Sequence, residues 1–331
     1  MPRMRRWAKK LGSVLLELFL VVTLASLVYN LATAGRVKPA SALYSGPFVN
    51  VDGKQVAFRR WGTRGTPIVL LGGFIVPSSV WEGVGQRLGR RHRVFAIDLP
   101  PFGYTERKGP YTLASWVRLV HLFDRRLGLH RPLLVGHSLG AAVVVADALR
   151  YPGDSHGIVL LDGDALSTGG VPSWVSDVLV GPWFTSIYRI VTGSDWVFRR
   201  GLADAYPNHP PFTRQFLQEW EQPFKVEGTL SALRSMLKYG IQGFHTAQLR
   251  TLHDRALVVW GTRDTVDPVS AGRRSAAALH APFRLLPGAG HLSMLAAPTA
   301  IAHAIDSFGG GLRLQAPCKH LASAGMSPRF A

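Results

Sequence analysis

The sequence predicts an α/β protein in which a mostly parallel, twisted sheet carries helices on both faces. Short apolar runs that end in glycine or turn residues alternate with longer segments of helical spacing, as in successive strand–helix–strand units. The chain is also large enough for such a core, because 47% of its 331 residues are hydrophobic and 16 are phenylalanine.

Strands and helices follow one another in a clear order. Segment 47–62, PFVNVDGKQVAFRRWG, predicts a hairpin with its turn at Val51-Asp52-Gly53. Continuous apolar runs predict buried strands in TPIVLLGGF, HRVFAIDLPPFG, RPLLVG, GIVLLDG, ALVVWG and FRLLPG. Helical spacing predicts helices between them in SSVWEGVGQRLGRR, in TLASWVRLVHLFDRRLG and from Leu139 to Arg150.

The N-terminal segment differs from the rest of the chain. Residues 1–10, MPRMRRWAKK, carry five cations and no anion, and we expect them to stay in the cytoplasm. After Glu17, residues 18–35 are uncharged, and as a helix this run is roughly 27 Å long, close to the hydrocarbon thickness of a bilayer. The sequence therefore predicts a transmembrane signal anchor or a signal peptide over residues 11–35, followed by a linker over 36–46.

Both alternatives place the remaining chain outside the cytoplasm. Cleavage after Ala32-Thr33-Ala34 would release a secreted protein. The run is long for a signal peptide, and Tyr29 and Asn30 interrupt its end, which favours the uncleaved membrane anchor. The run also has no evident polar face, which argues against a helix buried in the globular domain.

The net charge of +18 narrows the choice of partners. Arginines are spread along the chain with no dense basic block after the first ten residues, which argues against a nucleic-acid-binding protein. The first interpretation of the charge is an ordinary basic surface on an arginine-rich protein, and the second is attraction to an anionic membrane surface. No metal-ligand cluster or phosphate-binding loop is evident, so we expect no cofactor, and the single cysteine, Cys318, excludes an intrachain disulfide.

The stretch LLVGHSLGAAVVVADAL contains a serine between two glycines at a strand-to-helix junction. In Gly136-His137-Ser138-Leu139-Gly140, a tight turn holds the central residue in a strained conformation, and side chains two residues before and after it would collide. The turn would expose the Ser138 hydroxyl above the sheet edge and near the N–H groups of a helix start. Ser138 is therefore the candidate nucleophile, and His137 is expected to pack within the turn.

A nucleophilic serine needs a base, and the base needs an orienting acid. His291 lies in a glycine-rich loop after the FRLLPG strand, and Asp264 follows the ALVVWG strand. Both come just beyond the C-terminal ends of strands, where ligands bind in open α/β sheets. Three other carboxylates are weaker candidates for the acid: Asp162, Asp164 and Asp267.

An oxyanion of an acyl-transfer reaction needs two N–H donors. The Leu139 N–H directly follows the nucleophile and is the first candidate. The second is expected in the loop GGFIVPSS, where Gly72 and Gly73 let the backbone approach closely and the Phe74 N–H is the best candidate. Pro77 has no N–H and is excluded.

These motifs together resemble the α/β-hydrolase superfamily, in its single-domain esterase, lipase and C–C hydrolase branch with a helical cap. The matching stretches are LLGGF, DLPPFGYT, GHSLG, GTRD and GAGH, over about residues 47–308. The order Ser138, Asp264, His291 is the nucleophile–acid–base order of this fold. The chain departs from the family pattern at Gly72, where a histidine is usual, and at Pro101, where a glycine is more common.

The resemblance implies a hydrolase domain over residues 47–308 with an inserted cap at about 166–249, because that interval is too long for a plain crossover. The cap is rich in aromatic residues, among them Trp174, Trp183, Phe184, Tyr188, Trp196, Phe198 and Trp220. Most of them are expected to pack the cap helices together, and some to form an apolar roof over the substrate. Residues 309–331 lack periodicity and are expected to form a disordered tail.

The function that the sequence predicts is that of a serine hydrolase acting on carboxylic esters with apolar acyl groups, through an acyl-enzyme. The same triad is compatible with C–C bond hydrolysis or cofactor-free haloperoxidase chemistry. A non-catalytic binding protein of this fold is a further alternative, although the complete triad argues against it. Ser138 argues against dehalogenases and epoxide hydrolases, which carry an aspartate at this position.

Overall fold

One mixed sheet organises the structure. The computed structural model describes residues 2–165, 182–239 and 243–310. Within these residues the strands are β1 Phe48–Val51, β2 Lys54–Trp61, β3 Pro67–Leu71, β4 Arg93–Ile97, β5 Leu133–His137, β6 Gly157–Leu161, β7 Ala256–Gly261 and β8 Phe283–Leu286. Their order is β1-β2-β4-β3-β5-β6-β7-β8, with β1–β2 and β2–β4 antiparallel and every later pair parallel.

Helices cover both faces of the sheet. In chain order the described helices are α1 Pro2–Ala32, α2 Ala40–Leu43, α3 Glu82–Leu88, α4 Leu113–Arg126, α5 Leu139–Arg150, α6 Pro182–Thr192, α7 Asp195–Ala205, α8 Arg214–Glu221, α9 Thr229–Tyr239, α10 Thr246–Leu249, α11 Val269–Ala278, α12 Ser293–Ala296 and α13 Pro298–Gly310. One core cluster joins α4, α5 and α11 to the sheet, and another joins α3 and α13 to its opposite face. The predicted α/β architecture is thus confirmed.

The core strands are buried because helices cover both of their faces. All side chains of β3, β5, β6 and β7 are buried, which matches their continuous apolar sequences. The predicted hairpin is also present, since β1 and β2 pair across Asp52 and Gly53, which both have positive φ angles.

A tight turn between β5 and α5 positions Ser138. This residue has φ 50° and ψ −120°, a conformation that costs a non-glycine residue about 1–3 kcal/mol. A Cβ atom added to Gly136 would lie 2.1 Å from the Gly140 carbonyl oxygen, and one added to Gly140 would lie 2.8 Å from the Leu71 carbonyl oxygen, so both positions need glycine. Gly73 and Gly163 also approach Ser138 so closely that an added Cβ would fall within 2.6 Å of its atoms.

The cap is fastened to the core by an arginine. Arg107 follows the loop after β4, and its guanidinium donates to the carbonyls of Gly103 at 2.6 Å and Pro223 at 3.0 Å. Its Nε donates to the Thr229 hydroxyl at 2.9 Å. Because Pro223 and Thr229 belong to the predicted cap interval, one side chain joins this interval to the loop after β4. Of the predicted cap interval, residues 166–181 and 240–242, including Trp174, lie outside the described residues, as does the predicted tail beyond residue 310.

Helix α1 docks on cap helix α6 through polar side chains. The Ser26 and Ser186 hydroxyls lie 2.6 Å apart, the Trp183 indole N–H donates to Thr23 Oγ1 at 3.2 Å, and Arg189 donates to Thr33 Oγ1 at 2.7 Å. Arg189 also donates to the carbonyl oxygen of Asn30, and the Phe19 and Trp183 rings meet edge to face. The expectation that this run has no polar face is therefore wrong: a stripe of small polar residues, Thr23, Ser26, Asn30 and Thr33, faces the cap.

The segment after α1 is attached to the cap. A 3₁₀ turn spans Ala34–Arg36, and Lys38 then pairs with Val226 as an isolated parallel bridge. The Lys38 N–H donates to Lys225 O at 2.9 Å, and Lys38 O accepts from the Glu227 N–H at 2.9 Å. The residues expected to form a linker, 36–46, are thus held against the domain.

Replacing Gly136 with alanine is expected to disrupt the turn at Ser138. The new methyl group would collide with the Gly140 carbonyl oxygen, a backbone atom that cannot shift without moving Ser138. Overpacking of this kind costs about 1–3 kcal/mol, which a denaturant titration of the variant would measure as a lower free energy of unfolding.

Gly309→Ala is the matched control for Gly136→Ala. Its Cβ would lie 3.6 Å from Leu133 Cδ2, an ordinary van der Waals contact near the end of α13. Equal stability of the two alanine variants would contradict the steric account of the turn.

Candidate active site

Ser138 lies at the base of a cavity, at the carboxyl end of β5. It precedes the first residue of α5, so its hydroxyl stands near the helix N-terminus. Among the described residues, no hydrogen bond is formed by the Ser138 hydroxyl, and it lines the same cavity as His291. In unliganded enzymes the serine–histidine hydrogen bond is often long and tightens when substrate binds.

His291 is held by Asp264. The His291 Nδ1 lies 2.9 Å from Asp264 Oδ2, and the Asp264 side chain is fully buried. The other carboxylate oxygen accepts the backbone N–H groups of Val266 at 2.9 Å and Asp267 at 3.0 Å. Because Nδ1 donates to the carboxylate, the neutral ring leaves Nε2 as the proton acceptor.

The surroundings of His291 favour its charged form. Burial alone would lower the pKa of His291, but the hydrogen bond that Nδ1 donates to Asp264 and the negative charges of Asp264, Asp162 and Asp267 outweigh it, so the pKa is raised. A carboxylate that stabilises an imidazolium in this way lets the ring accept a proton from a nucleophile.

The alternative acids have other partners. Asp162 accepts the Gly261 N–H at 2.7 Å and the Ser293 hydroxyl, so it ties the end of β7 to the loop after His291. Burial raises the pKa of Asp162 to about 8. Asp164 accepts the Ser275 hydroxyl at 2.5 Å and points toward α11. Burial raises the pKa of Asp267 as well, and that residue precedes the start of α11.

His137 supports the loop that carries His291. Its Nε2–H donates to the His291 carbonyl oxygen at 2.8 Å, and the two rings lie 4.9 Å apart. Burial lowers the pKa of His137 well below that of free imidazole, so this side chain is neutral. This agrees with the expectation that it packs within the turn.

The two candidate oxyanion donors flank Ser138. Leu139 is the first residue of α5, and the N–H groups of a first helical turn have no intrahelical acceptor. Phe74 follows Gly73, which touches Ser138, and both Phe74 and Ser138 line the cavity. The site residues predicted from the sequence therefore meet in one region of the fold.

An apolar cavity of about 540 Å³ leads to Ser138. Among the described residues its lining contains no Lys, Arg, Asp or Glu, and its titratable side chains are His291 and Tyr188. Cap helices supply much of the wall, chiefly Phe184, Ile187, Tyr188, Val191, Phe198, Leu202 and Trp220. Four of the cap aromatics listed from the sequence therefore roof the site, whereas Trp183 contacts α1 and Trp196 is exposed.

Sequence reasoning missed Asp98 as a residue that supports the site. This buried carboxylate accepts the Ser78 N–H at 2.8 Å and the Tyr104 N–H at 2.9 Å, and so joins the loops that follow β3 and β4. Burial raises the pKa of Asp98. The available signal was an aspartate directly after a buried apolar strand, in the stretch VFAIDLP.

Comparison with known proteins identifies the family. The model of the alpha/beta hydrolase family matches residues 68–304, and the chain therefore belongs to this family. YugF, an uncharacterized hydrolase of Bacillus subtilis strain 168, is 24% identical over 262 residues, which cover 78% of this chain and 95% of YugF. Membership in this family and the similarity to YugF support the conclusion that the chain is a hydrolase.

Solved structures support the same fold. A meta-cleavage product hydrolase from Pseudomonas fluorescens IP01 is similar with a TM-score of 0.68 at 20% identity, covering 81% of this chain and 98% of that one. A membrane phospholipase A, described as a bacterial virulence factor, is similar with a TM-score of 0.67 at 22% identity, covering 92% of this chain and 98% of that one. An alignment over 92% of this chain must extend beyond residues 44–331. It therefore includes part of the N-terminal segment.

Asp264→Asn is expected to lower the pKa of His291. In the native chain that pKa is raised above the ordinary histidine value, and the variant loses the negative charge that raises it and that strengthens the hydrogen bond, while burial remains. A raised folded-state pKa stabilises the protein below the unfolded pKa, and this contribution disappears as pH rises through the folded value. Histidine NMR titration of both proteins measures the pKa, and an unchanged value would contradict the assignment of Asp264 as the dominant charge.

Proposed function

We propose that the chain is a serine hydrolase that cleaves carboxylic esters with apolar acyl groups through an acyl-enzyme. The observation that carries the proposal is a serine in a strained strand-to-helix turn that shares an apolar cavity with a carboxylate-bound histidine. A nucleophile with a base and an orienting acid is the arrangement that acyl transfer requires.

In the proposed reaction, Ser138 Oγ attacks the ester carbonyl carbon while His291 Nε2 takes its proton. The Leu139 and Phe74 N–H groups stabilise the oxyanion. The tetrahedral intermediate collapses, and His291 protonates the departing alkoxide to leave an acyl group on Ser138. Water, deprotonated by His291, then attacks the acyl-enzyme, releases the carboxylic acid product and restores the serine. Asp264 stabilises the imidazolium in both the acylation and the deacylation steps.

The cavity supports an apolar and uncharged acyl group. Its described lining has no charged side chain to pair with an ionic substrate, and burying an unpaired charge there would be costly. Esters with aliphatic or aromatic acyl groups therefore fit better than charged ones. C–C bond hydrolysis uses the same triad, and the likeness to a meta-cleavage product hydrolase keeps it as the second candidate.

We also propose that α1 is an uncleaved membrane anchor and that the hydrolase domain lies outside the cytoplasm. The segment Lys10–Ala32 is long and apolar enough to cross a membrane. The contacts of α1 with Trp183, Ser186 and Arg189 support retention, because cleavage after Ala34 would uncover this polar face of the cap. The membrane phospholipase A, whose alignment includes part of the N-terminal segment, is consistent with an anchored hydrolase.

Ser138→Ala is expected to abolish covalent labelling by a fluorophosphonate probe, because the probe reacts with an activated serine hydroxyl. Turnover of 4-nitrophenyl esters should fall by about 10⁶-fold, as for other triad nucleophiles. Gel fluorescence of the labelled protein and initial-rate assays measure the two effects. Equal labelling of the native chain and the alanine variant would contradict Ser138 as the nucleophile.

Two asparagine variants test which carboxylate is the acid, with Asp162→Asn as the matched control for Asp264→Asn. Asp264→Asn should lower turnover by about 10⁴-fold, because the imidazole loses its correct tautomer and its charge stabilisation. Asp162→Asn removes an equally buried carboxylate that bonds elsewhere, and it should cost much less. A larger loss of turnover in the Asp162 variant would identify Asp162, at the end of β6, as the acid and would contradict Asp264.

The anchor is tested by N-terminal sequencing of the mature chain and by carbonate extraction of membranes. We expect an intact N-terminus in the carbonate-resistant fraction, because an apolar helix of this length resists extraction. A mature N-terminus at Gly35 in the soluble fraction would contradict the membrane anchor but not the proposal that the domain lies outside the cytoplasm. Full-length protein in the cytosol would contradict both.

A further inference from the structure

An apolar surface lies beside the mouth of the cavity. Ile187 and Ile190 of α6 are 57% and 56% exposed, and Trp196 at the start of α7 is 73% exposed. Ile187 also lines the cavity, as do the exposed side chains of Phe74 and Val266. The rim that leads to Ser138 is thus itself apolar, and exposed apolar surface of this kind marks an interaction site.

The contacts between α6 and α1 determine the position of this surface relative to a bilayer. The uncharged run over residues 18–35 is roughly 27 Å long as a helix, so a hydrocarbon core that begins after Glu17 ends near Arg36. Arg189 donates to the Asn30 carbonyl and the Thr33 hydroxyl. Thr33 is roughly 5 Å before Arg36 along the helix axis. This cation therefore lies just inside the outer headgroups, where a snorkelling arginine keeps its charge hydrated.

The first half of α6 reaches deeper than Arg189. Ser186 pairs with Ser26, which is roughly 6 Å below Asn30 along α1. Trp183 pairs with Thr23, roughly 10 Å below it. Successive contacts advance in the same direction on both helices, so α6 runs parallel to α1 and enters the same leaflet.

From this geometry we propose that α6 is immersed in the outer leaflet of the membrane, with Ile187 and Ile190 against acyl chains. The cavity then opens sideways into the leaflet, and its substrate is an acyl ester lipid that reaches Ser138 without crossing water. The occupant of the apolar surface is the bilayer, because the helix that carries this surface is docked along a helix able to span one. This inference rests on the proposed function and names its substrate class.

Two features of the surface support a lipid neighbour. Trp196 is an exposed tryptophan beyond the end of α6, on the side of the headgroups, where tryptophan is enriched in membrane proteins. The chain as a whole has a net charge of +18, which draws the domain to anionic headgroups. An apolar rim with no charged lining among the described residues allows an acyl chain to slide from the leaflet into the cavity.

The test compares a lipid-borne ester with a water-soluble one. The full chain is reconstituted in vesicles of phosphatidylcholine and phosphatidylglycerol that contain 4-methylumbelliferyl palmitate, and is assayed separately on 4-nitrophenyl butyrate. Ile190 is exposed and is not part of the cavity wall, so Ile190→Glu should leave butyrate hydrolysis unchanged. The same variant should lose about 10-fold or more of its activity on the vesicle-borne ester, because glutamate disfavours immersion in hydrocarbon.

Leu285→Glu is the matched control, since Leu285 is an exposed leucine on the edge strand β8 and not on α6. It should retain both activities. Equal loss in both glutamate variants, or no loss in Ile190→Glu, would overturn the inference. Hydrolysis of butyrate without hydrolysis of the vesicle-borne ester by the native chain would overturn the inference and leave the proposed function standing. A native chain that hydrolyses neither ester would overturn the proposed function and, with it, the lipid substrate.

A depth measurement tests immersion independently of activity. In a Cys318→Ser background, Ile190→Cys labelled with nitrobenzoxadiazole should be quenched by brominated acyl chains in the vesicles. The same label at Leu285→Cys should not be quenched. A label at position 190 that is shielded from the brominated lipid, whether by water or by a second copy of the chain, would overturn the proposal.

Discussion

The candidate site depends on one backbone constraint, the positive φ angle of Ser138. This conformation turns the chain from β5 into α5 within a single residue and points the hydroxyl away from the sheet. It is tolerated because glycines surround it on both sides, including Gly73 and Gly163 from neighbouring strand ends. Since those glycines follow β3 and β6, the nucleophile is positioned by three adjacent strands, and its placement is as rigid as the sheet itself.

Two buried carboxylates near His291 have different partners and therefore different roles in the site. Asp264 bonds to the imidazole, and its second oxygen is saturated by backbone N–H groups, so its direction is fixed. Asp162 lies after the neighbouring strand and joins the end of β7 to Ser293, with a pKa raised to about 8 by burial. Burial thus disfavours the charged form of Asp162, whereas Asp264 is the carboxylate that bonds directly to the ring.

Much of the fold was accessible from the sequence because buried strands leave a strong signal. Continuous apolar runs between turn residues located the strands of the core, and the glycine pair around Ser138 followed from sterics alone. The docking stripe on α1 was not accessible, because Thr23, Ser26 and Asn30 are small polar residues that an apolar helix tolerates without a partner. Asp98 and Gly163 were missed for a related reason: their roles lie in contacts with distant segments, which local patterns do not encode.

The contact between α1 and α6 has a consequence for the order of synthesis. Ser26 and Ser186 are separated by 160 positions, so at roughly 5–20 residues per second α1 emerges about 8–32 s before its partner. During this interval an inserted α1 has no cap to bind. Its threonines are satisfied within the helix, because Thr23 donates to the Phe19 carbonyl at 2.6 Å and Thr33 to the Tyr29 carbonyl at 2.7 Å. As the proposed membrane anchor, α1 would thus be a complete helix in the bilayer before the cap folds against it.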